Sequence, residues 1–167
     1  SVDRISPEAP IPVMRVQRET SSLGGVGNVA ANVHSLGAKA MIAAVVGEDF
    51  AGRDIRQKTA DLLGDDNGLI TSTDRPSTQK TRYLARNQQL LRADEESTVA
   101  LPPKAQAALI EIALKQLQQA TAVVLSDYGK GVLDDKTIKA IIEAAREKNI
   151  PIIVDPMVRD FCRYRGA

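Results

Sequence analysis

The chain has 167 residues, of which 43% are apolar and 26% charged, the balance of one soluble globular domain and not of a disordered segment. Its net charge of +1, 3% aromatic content and lack of tryptophan offer neither an electrostatic field nor a stacking platform for nucleic acid or an acidic membrane. One cysteine, Cys162, excludes an internal disulfide and a multi-cysteine zinc site. No apolar run reaches the roughly 18 residues that span a bilayer, and no signal segment opens the chain, so a cytoplasmic location is the expectation.

Pro7, Pro10 and Pro12 forbid a helix at the start and favour extended or edge-strand backbone. Val13, Met14 and Val16 read as a short strand. Val26, Val29, Val33 and Leu36 fall on one face of a helix over 26–36. Lys39 to Val46, with its apolar run Met41 to Val46, reads as a buried strand closed by Gly47. A helix over 51–63 ends at Gly64-Asp65-Asp66, and 68–72 is a further strand. Lys80, Arg82, Leu84 and Arg86 alternate with Thr81, Tyr83 and Ala85, so 78–94 reads as a hairpin turning at Asn87-Gln88. Arg92 to Ser97 is a charged link, most simply solvated. Pro102-Pro103 starts a long helix with Leu109, Ile110, Ala113, Leu114 and Leu117 on its buried side. Ala122 to Leu125 is a strand, Asp134 caps a helix carrying Ile138, Ile141, Ile142 and Ala145, and Pro151 to Asp155 is the last strand.

The closing helix, strand, helix, strand order is the grammar of a parallel sheet covered by helices. The fold class expected is α/β with a small β lid. Lid strands lie at about 4–18 and 78–94, and the body at about 23–72 and 100–167.

Several residue groups carry chemistry. Gly24, Gly25 and Gly27 open the first helix, where backbone can approach a ligand and unpaired amides can meet oxygens. Asn28 adds a donor and acceptor suited to a sugar hydroxyl. The same residues also suit a tight strand-to-helix turn. Lys80, Arg82 and Arg86 share a strand face and could meet a phosphate, or be solvated. Asp127 and Asp155 each end an apolar strand, where ligands collect in open α/β sheets. Either can accept from a sugar hydroxyl or order a magnesium water, or simply cap a turn. Lys130 follows Asp127 in a glycine-hinged turn within reach of a phosphate. Glu48 and Asp49 fit a turn and helix start. Cys162 and His34 fit ordinary structural or solvated roles.

The run Gly24-Gly25-x-x-Asn28-x-Ala30, then Gly37, then Gly47-Glu48-Asp49-Phe50-Ala51-Gly52, resembles the N-terminal signature of ribokinase (PfkB-type) carbohydrate kinases. Arg4 to Val13, Arg86-Asn87-Gln88-Gln89-Leu90-Leu91-Arg92, Leu125 to Gly131, Asp155-Pro156 and Tyr164 to Ala167 resemble one branch of it, the heptose-7-phosphate kinases of bifunctional ADP-heptose synthases. The resemblance runs end to end and implies a ribokinase-like fold, incomplete here. It places Gly24, Gly25 and Asn28 on the sugar, and Arg86, Asn87 and Gln89 in a lid closing over it. The implied reaction moves the ATP γ-phosphate, with Mg2+, to the C1 hydroxyl of D-glycero-D-manno-heptose 7-phosphate, for ADP-heptose and lipopolysaccharide core. The resemblance also implies a homodimer through the lid, and a catalytic base and nucleotide site beyond Ala167, so that no catalytic residue lies in 1–167. Met157-Val158 replaces the Lys-Gly that usually follows Asp-Pro in that branch. A PfkB kinase for another sugar, or a lid-mediated binding module without activity, fits the same signature.

Overall fold

The computed structural model describes residues 2–9, 12–85, 88–157 and 159–167, with backbone alone for residues 2–5 and 12. Chain order runs β1 (Val2–Ile5), β2 (Pro12–Met14), α1 (Val26–Ser35), β3 (Ala44–Gly47), α2 (Phe50–Leu63), β4 (Leu69–Ser72), β5 (Gln79–Ala85) and β6 (Gln88–Glu95). It continues with α3 (Pro103–Leu117), β7 (Val123–Asp127), α4 (Asp135–Glu147), β8 (Ile152–Pro156) and a 3-10 turn at Phe161–Tyr164.

Local chemistry explains the boundaries. Asp49 caps α2 by accepting from the Gly52 amide at 2.6 Å, and Gly64 closes it in the left-handed conformation at φ 89°. Asp134 caps α4 by accepting from the Thr137 amide at 2.8 Å. Pro103 opens α3 at a position where a missing amide costs no helical bond.

Among the described residues the strands form four separate pairs. β1 and β2 pair antiparallel, as do β5 and β6, while β3 with β4 and β7 with β8 are parallel. Each parallel pair is joined by a helix, α2 in the first and α4 in the second, which is the crossover that parallel strands require. The expected single helix-covered sheet is therefore present as two parallel pairs. Gln116 of α3 ties them by donating to the Ile42 carbonyl at 2.8 Å.

Two cores sit under these units. The larger gathers Leu117, Leu125, Ile138, Ile141, Ile142, Ala145 and Tyr164 between α3, α4 and β7. The smaller consists of Ala30, Ile42 and Leu69. Two expected strands are corrected. Residues 39–43 lie outside β3, because the Ile42 carbonyl serves Gln116 and packs where any Cβ on Gly68 would collide with it. Val16 lies beyond β2 and is exposed.

Candidate functional site: a groove between the glycine turn and a cationic hairpin

A groove of about 2010 Å³ is lined by Gly24, Gly25, Lys80, Arg82, Asp127 and Lys130, among others. Six residues singled out from sequence thus share one cleft. Asn28, Gln89 and Asp155 are exposed and do not line it. Arg86 and Asn87 lie outside the described residues.

One wall is the glycine turn. Gly25 caps α1 at φ 50°, ψ −130°, a conformation that side chains strain to adopt. A Cβ there would sit 3.7 Å from the Tyr128 ring, and one on Gly24 would meet open space. The amides of Gly27, Asn28 and Val29 donate to the Gly24 and Gly25 carbonyls at 2.9 to 3.4 Å. Among the described residues the amides of Gly24, Gly25 and Val26 make no such bond, so the open donors of the cradle lie ahead of Gly27.

The facing wall is the carboxyl end of β7. Asp127 is buried, at 2% exposure, and its carboxylate is already engaged. Oδ1 accepts from the Gly129 amide at 2.9 Å, and Oδ2 accepts from the Tyr164 hydroxyl at 2.7 Å, with Arg163 Nη1 at 3.3 Å. Burial first, then the bond to Asp127, pushes the Tyr164 phenol up to about 12. Arg163 also donates to Asp135 and to the Leu133 carbonyl, each at 3.0 Å. The knot fixes the turn that presents Tyr128 to Gly25 and Lys130 to the groove.

The roof is the β5–β6 hairpin. Its register pairs Lys80 with Asp94 and Arg82 with Arg92. Paired residues share a face, so two guanidiniums stand opposite each other, an arrangement that repels unless an anion intervenes. Arg92 reaches Asp94 at 2.9 Å. Lys80 bonds Asp94 at 2.8 Å and Glu96 at 3.0 Å, and these two carboxylates raise its pKa. Lys130 meets the same Glu96 at 2.5 Å, and with Lys80 it holds the Glu96 carboxyl below its ordinary range.

The lid is fastened at its entry. The Ser77 amide donates to Asp49 at 2.7 Å, and the Ser77 hydroxyl accepts from the Gly47 amide at 2.8 Å. Burial alone would raise the Asp49 carboxyl, but the bonds from Ser77 and Gly52 outweigh it and hold it low. The Gly47 to Gly52 stretch is thus a helix cap and lid anchor, as its turn chemistry suggested. The stretch Arg92 to Ser97 is largely solvated as expected, but it is not a link: β6 runs to Glu95, and Glu96 is an ion-pair hub. Period-two alternation continued through Arg92, Asp94 and Glu96 could have found that hub. No sequence signal pointed to Tyr164 or Arg163 as partners of Asp127. Cys162 and His34 are exposed, so neither packs in a core.

The two crossovers and the glycine turn facing a strand end define an α/β fold, and comparison with known proteins gives the family. Residues 2–165 match the pfkB family carbohydrate kinases, and the chain belongs to that family. It is 47% identical over 170 residues to the bifunctional protein HldE of Rhodospirillum rubrum, covering 99% of this chain and 34% of that protein. With the bifunctional protein HldE of Caulobacter vibrioides it shares 46% over 167 residues, 100% of this chain and 34% of that one. The chain spans about a third of the length of the curated relatives it matches. A ribokinase from Giardia lamblia superposes with a TM-score of 0.56 at 18% identity, over 91% of this chain and 53% of that one. The crystal structure of Sa239 gives a TM-score of 0.58 at 16% identity, over 87% of this chain and 49% of that one. These two likenesses show the fold.

Proposed function

We propose that residues 1–167 form the sugar-gripping and lid part of a heptose-7-phosphate kinase. The whole enzyme transfers the ATP γ-phosphate to the C1 hydroxyl of D-glycero-D-manno-heptose 7-phosphate, supplying ADP-heptose for lipopolysaccharide core in the cytoplasm. The observation that carries this reading is one groove lined by the glycine turn and by Lys80, Arg82 and Lys130. The runs Arg4 to Val13, Arg86 to Arg92 and Leu125 to Gly131, which resemble the heptose-7-phosphate kinase branch, support the heptose among phosphorylated sugars.

In this reading Gly24 and Gly25 seat the sugar hydroxyls, and Lys80, Arg82 and Lys130 meet its phosphate. Asp127 is a positioning residue for the turn carrying Lys130, since its oxygens are engaged within the chain. Arg86, Asn87 and Gln89 close the hairpin tip over the substrate, and Asp155 stands outside the groove. Holding and dehydrating the acceptor is what phosphoryl transfer asks of this part of the enzyme.

Among the described residues no three carboxylate, histidine or cysteine side chains gather to hold a cation. The family resemblance, and not that observation, assigns Mg2+, ATP and the catalytic base to polypeptide other than these residues. A homodimer through the lid belongs to the same reading, supported by Leu84, Leu90 and Leu91 exposed on a two-stranded hairpin.

The test is sugar-dependent ADP release by the whole polypeptide carrying this sequence, over a panel of free and phosphorylated sugars. Release confined to the heptose 7-phosphate is expected, with Gly25→Ala raising KM by straining the turn at its φ of 50°. Equal release with an unphosphorylated hexose sinks the reading. Sedimentation of the same preparation at several concentrations tests the dimer.

A further inference from the structure

The hairpin leaves the body through residues 73–78 and returns through residues 96–101, and one side chain grips the way back. Arg75, on the outgoing segment, donates from Nη2 to the Ser97 carbonyl at 2.9 Å and the Lys130 carbonyl at 2.7 Å. This backbone clasp places Glu96 beside the turn after β7. Its Oε1 accepts from Lys130 Nζ at 2.5 Å and its Oε2 from Lys80 Nζ at 3.0 Å. Lys80 belongs to the hairpin and Lys130 to the body, so a single carboxylate bridges the two. All three residues line the groove.

Two ammonium groups held at the two oxygens of a carboxylate are spaced for two oxygens of a phosphate. A phosphate monoester brings a charge of about −1.5 to −2 and three strong acceptors, against one charge and two oxygens from Glu96. Arg82 and Arg92 stand next along the same face and add positive potential, while Asp94 is the remaining carboxylate in reach of Lys80. The bridge is partly exposed, with side-chain accessibilities of 34% for Lys80, 27% for Lys130 and 23% for Glu96, so an incoming anion can reach it.

We propose that Glu96 is a resident stand-in for a phosphate monoester between Lys80 and Lys130, and that phosphate entering the groove displaces it. The inference rests on the sugar-phosphate reading above and adds a residue that opposes binding. Displacement replaces an internal bridge by a substrate bridge. The end of β6 is then freed from Lys130 and loosens as far as the Arg75 clasp at the Ser97 carbonyl. Unphosphorylated sugars lack the anionic oxygens to replace a carboxylate between two ammonium groups, so the latch discriminates on the phosphate.

The experiment compares the whole polypeptide and its Glu96→Gln variant by calorimetric titration with inorganic phosphate, a hexose phosphate and the same hexose unphosphorylated. The variant is expected to bind both phosphates about fivefold more tightly, the size of one exposed ion pair, and the plain hexose no better. Phosphate is also expected to speed amide exchange across residues 93–97 in the wild type, towards the rate in the variant. Equal or weaker phosphate binding by Glu96→Gln overturns the proposal, and so does absence of phosphate binding to both proteins. Should the variant fail to melt cooperatively, the wild-type exchange decides, and no change on adding phosphate overturns it. A gain confined to inorganic phosphate overturns the sugar-phosphate assignment of the seat. Tighter phosphate binding without sugar-dependent ADP release keeps the latch and removes the kinase reading. Heptose-dependent ADP release with unchanged phosphate binding does the reverse.

Discussion

The unit β7–α4–β8 and the hairpin β5–β6 are held by different physics. In the first, Ile138, Ile141, Ile142 and Ala145 of α4 are at most 5% exposed and pack with Leu125 of β7. In the second, every residue of β6 is exposed, and the hairpin rests on its ladder, its anchor at Ser77 and the ion pairs of Glu96. Burial is non-directional and strong, so the first unit makes a rigid wall. Exposed ion pairs are weak and exchangeable, so the second suits a roof that responds to an anion. The groove lies where the two meet.

The comparison predicts a graded set of losses. Ile138→Ala removes a side chain with no exposure from the larger core. It is expected to lower unfolding free energy by about 2–5 kcal/mol, read by denaturant titration of the whole polypeptide. A loss under about 1 kcal/mol would mean that this core is not the rigid wall.

Tyr164→Phe removes the hydroxyl that satisfies buried Asp127 and is expected to cost about 1–3 kcal/mol. Its pH signature has a definite sign. The folded phenol titrates at about 12 against an ordinary 10.0, so its contribution is complete below pH 10 and disappears as pH rises from 10 towards 12. Wild type should therefore approach Tyr164→Phe in melting temperature across that window. A gap that stays constant or widens there rejects the Asp127 knot.

Lys80→Met is expected to change stability least, by under about 1 kcal/mol, because it removes partly exposed ion pairs. The same variant should weaken binding of the phosphorylated sugar while sparing core stability. Thermal melts and binding isotherms on one preparation separate the two effects, and a large stability loss would show that the hairpin is core after all.

Local elements were legible because their signals are local. Asp134 and the apolar spacing of α4, Asp49 with Gly64 around α2, and the period-two alternation of β5 all came through as read. The glycine turn was legible as a place of close approach, although the amides of Gly27 and Asn28 proved to be engaged by its own carbonyls. Helix periodicity, capping and strand alternation depend on neighbours within a few residues, and sequence order displays those.

What sequence alone determined is the family signature, the order of helices and strands, and the inventory of charge on the hairpin. What tertiary structure decided is which charges meet. Glu96 finds Lys130 thirty-four positions away, and Asp127 finds Tyr164 at thirty-seven. The strands also fall into two parallel pairs, with Gln116 reaching Ile42 across seventy-four positions. Such partners are chosen by packing and by the need to satisfy buried polar groups, and neither leaves a periodic trace along the chain.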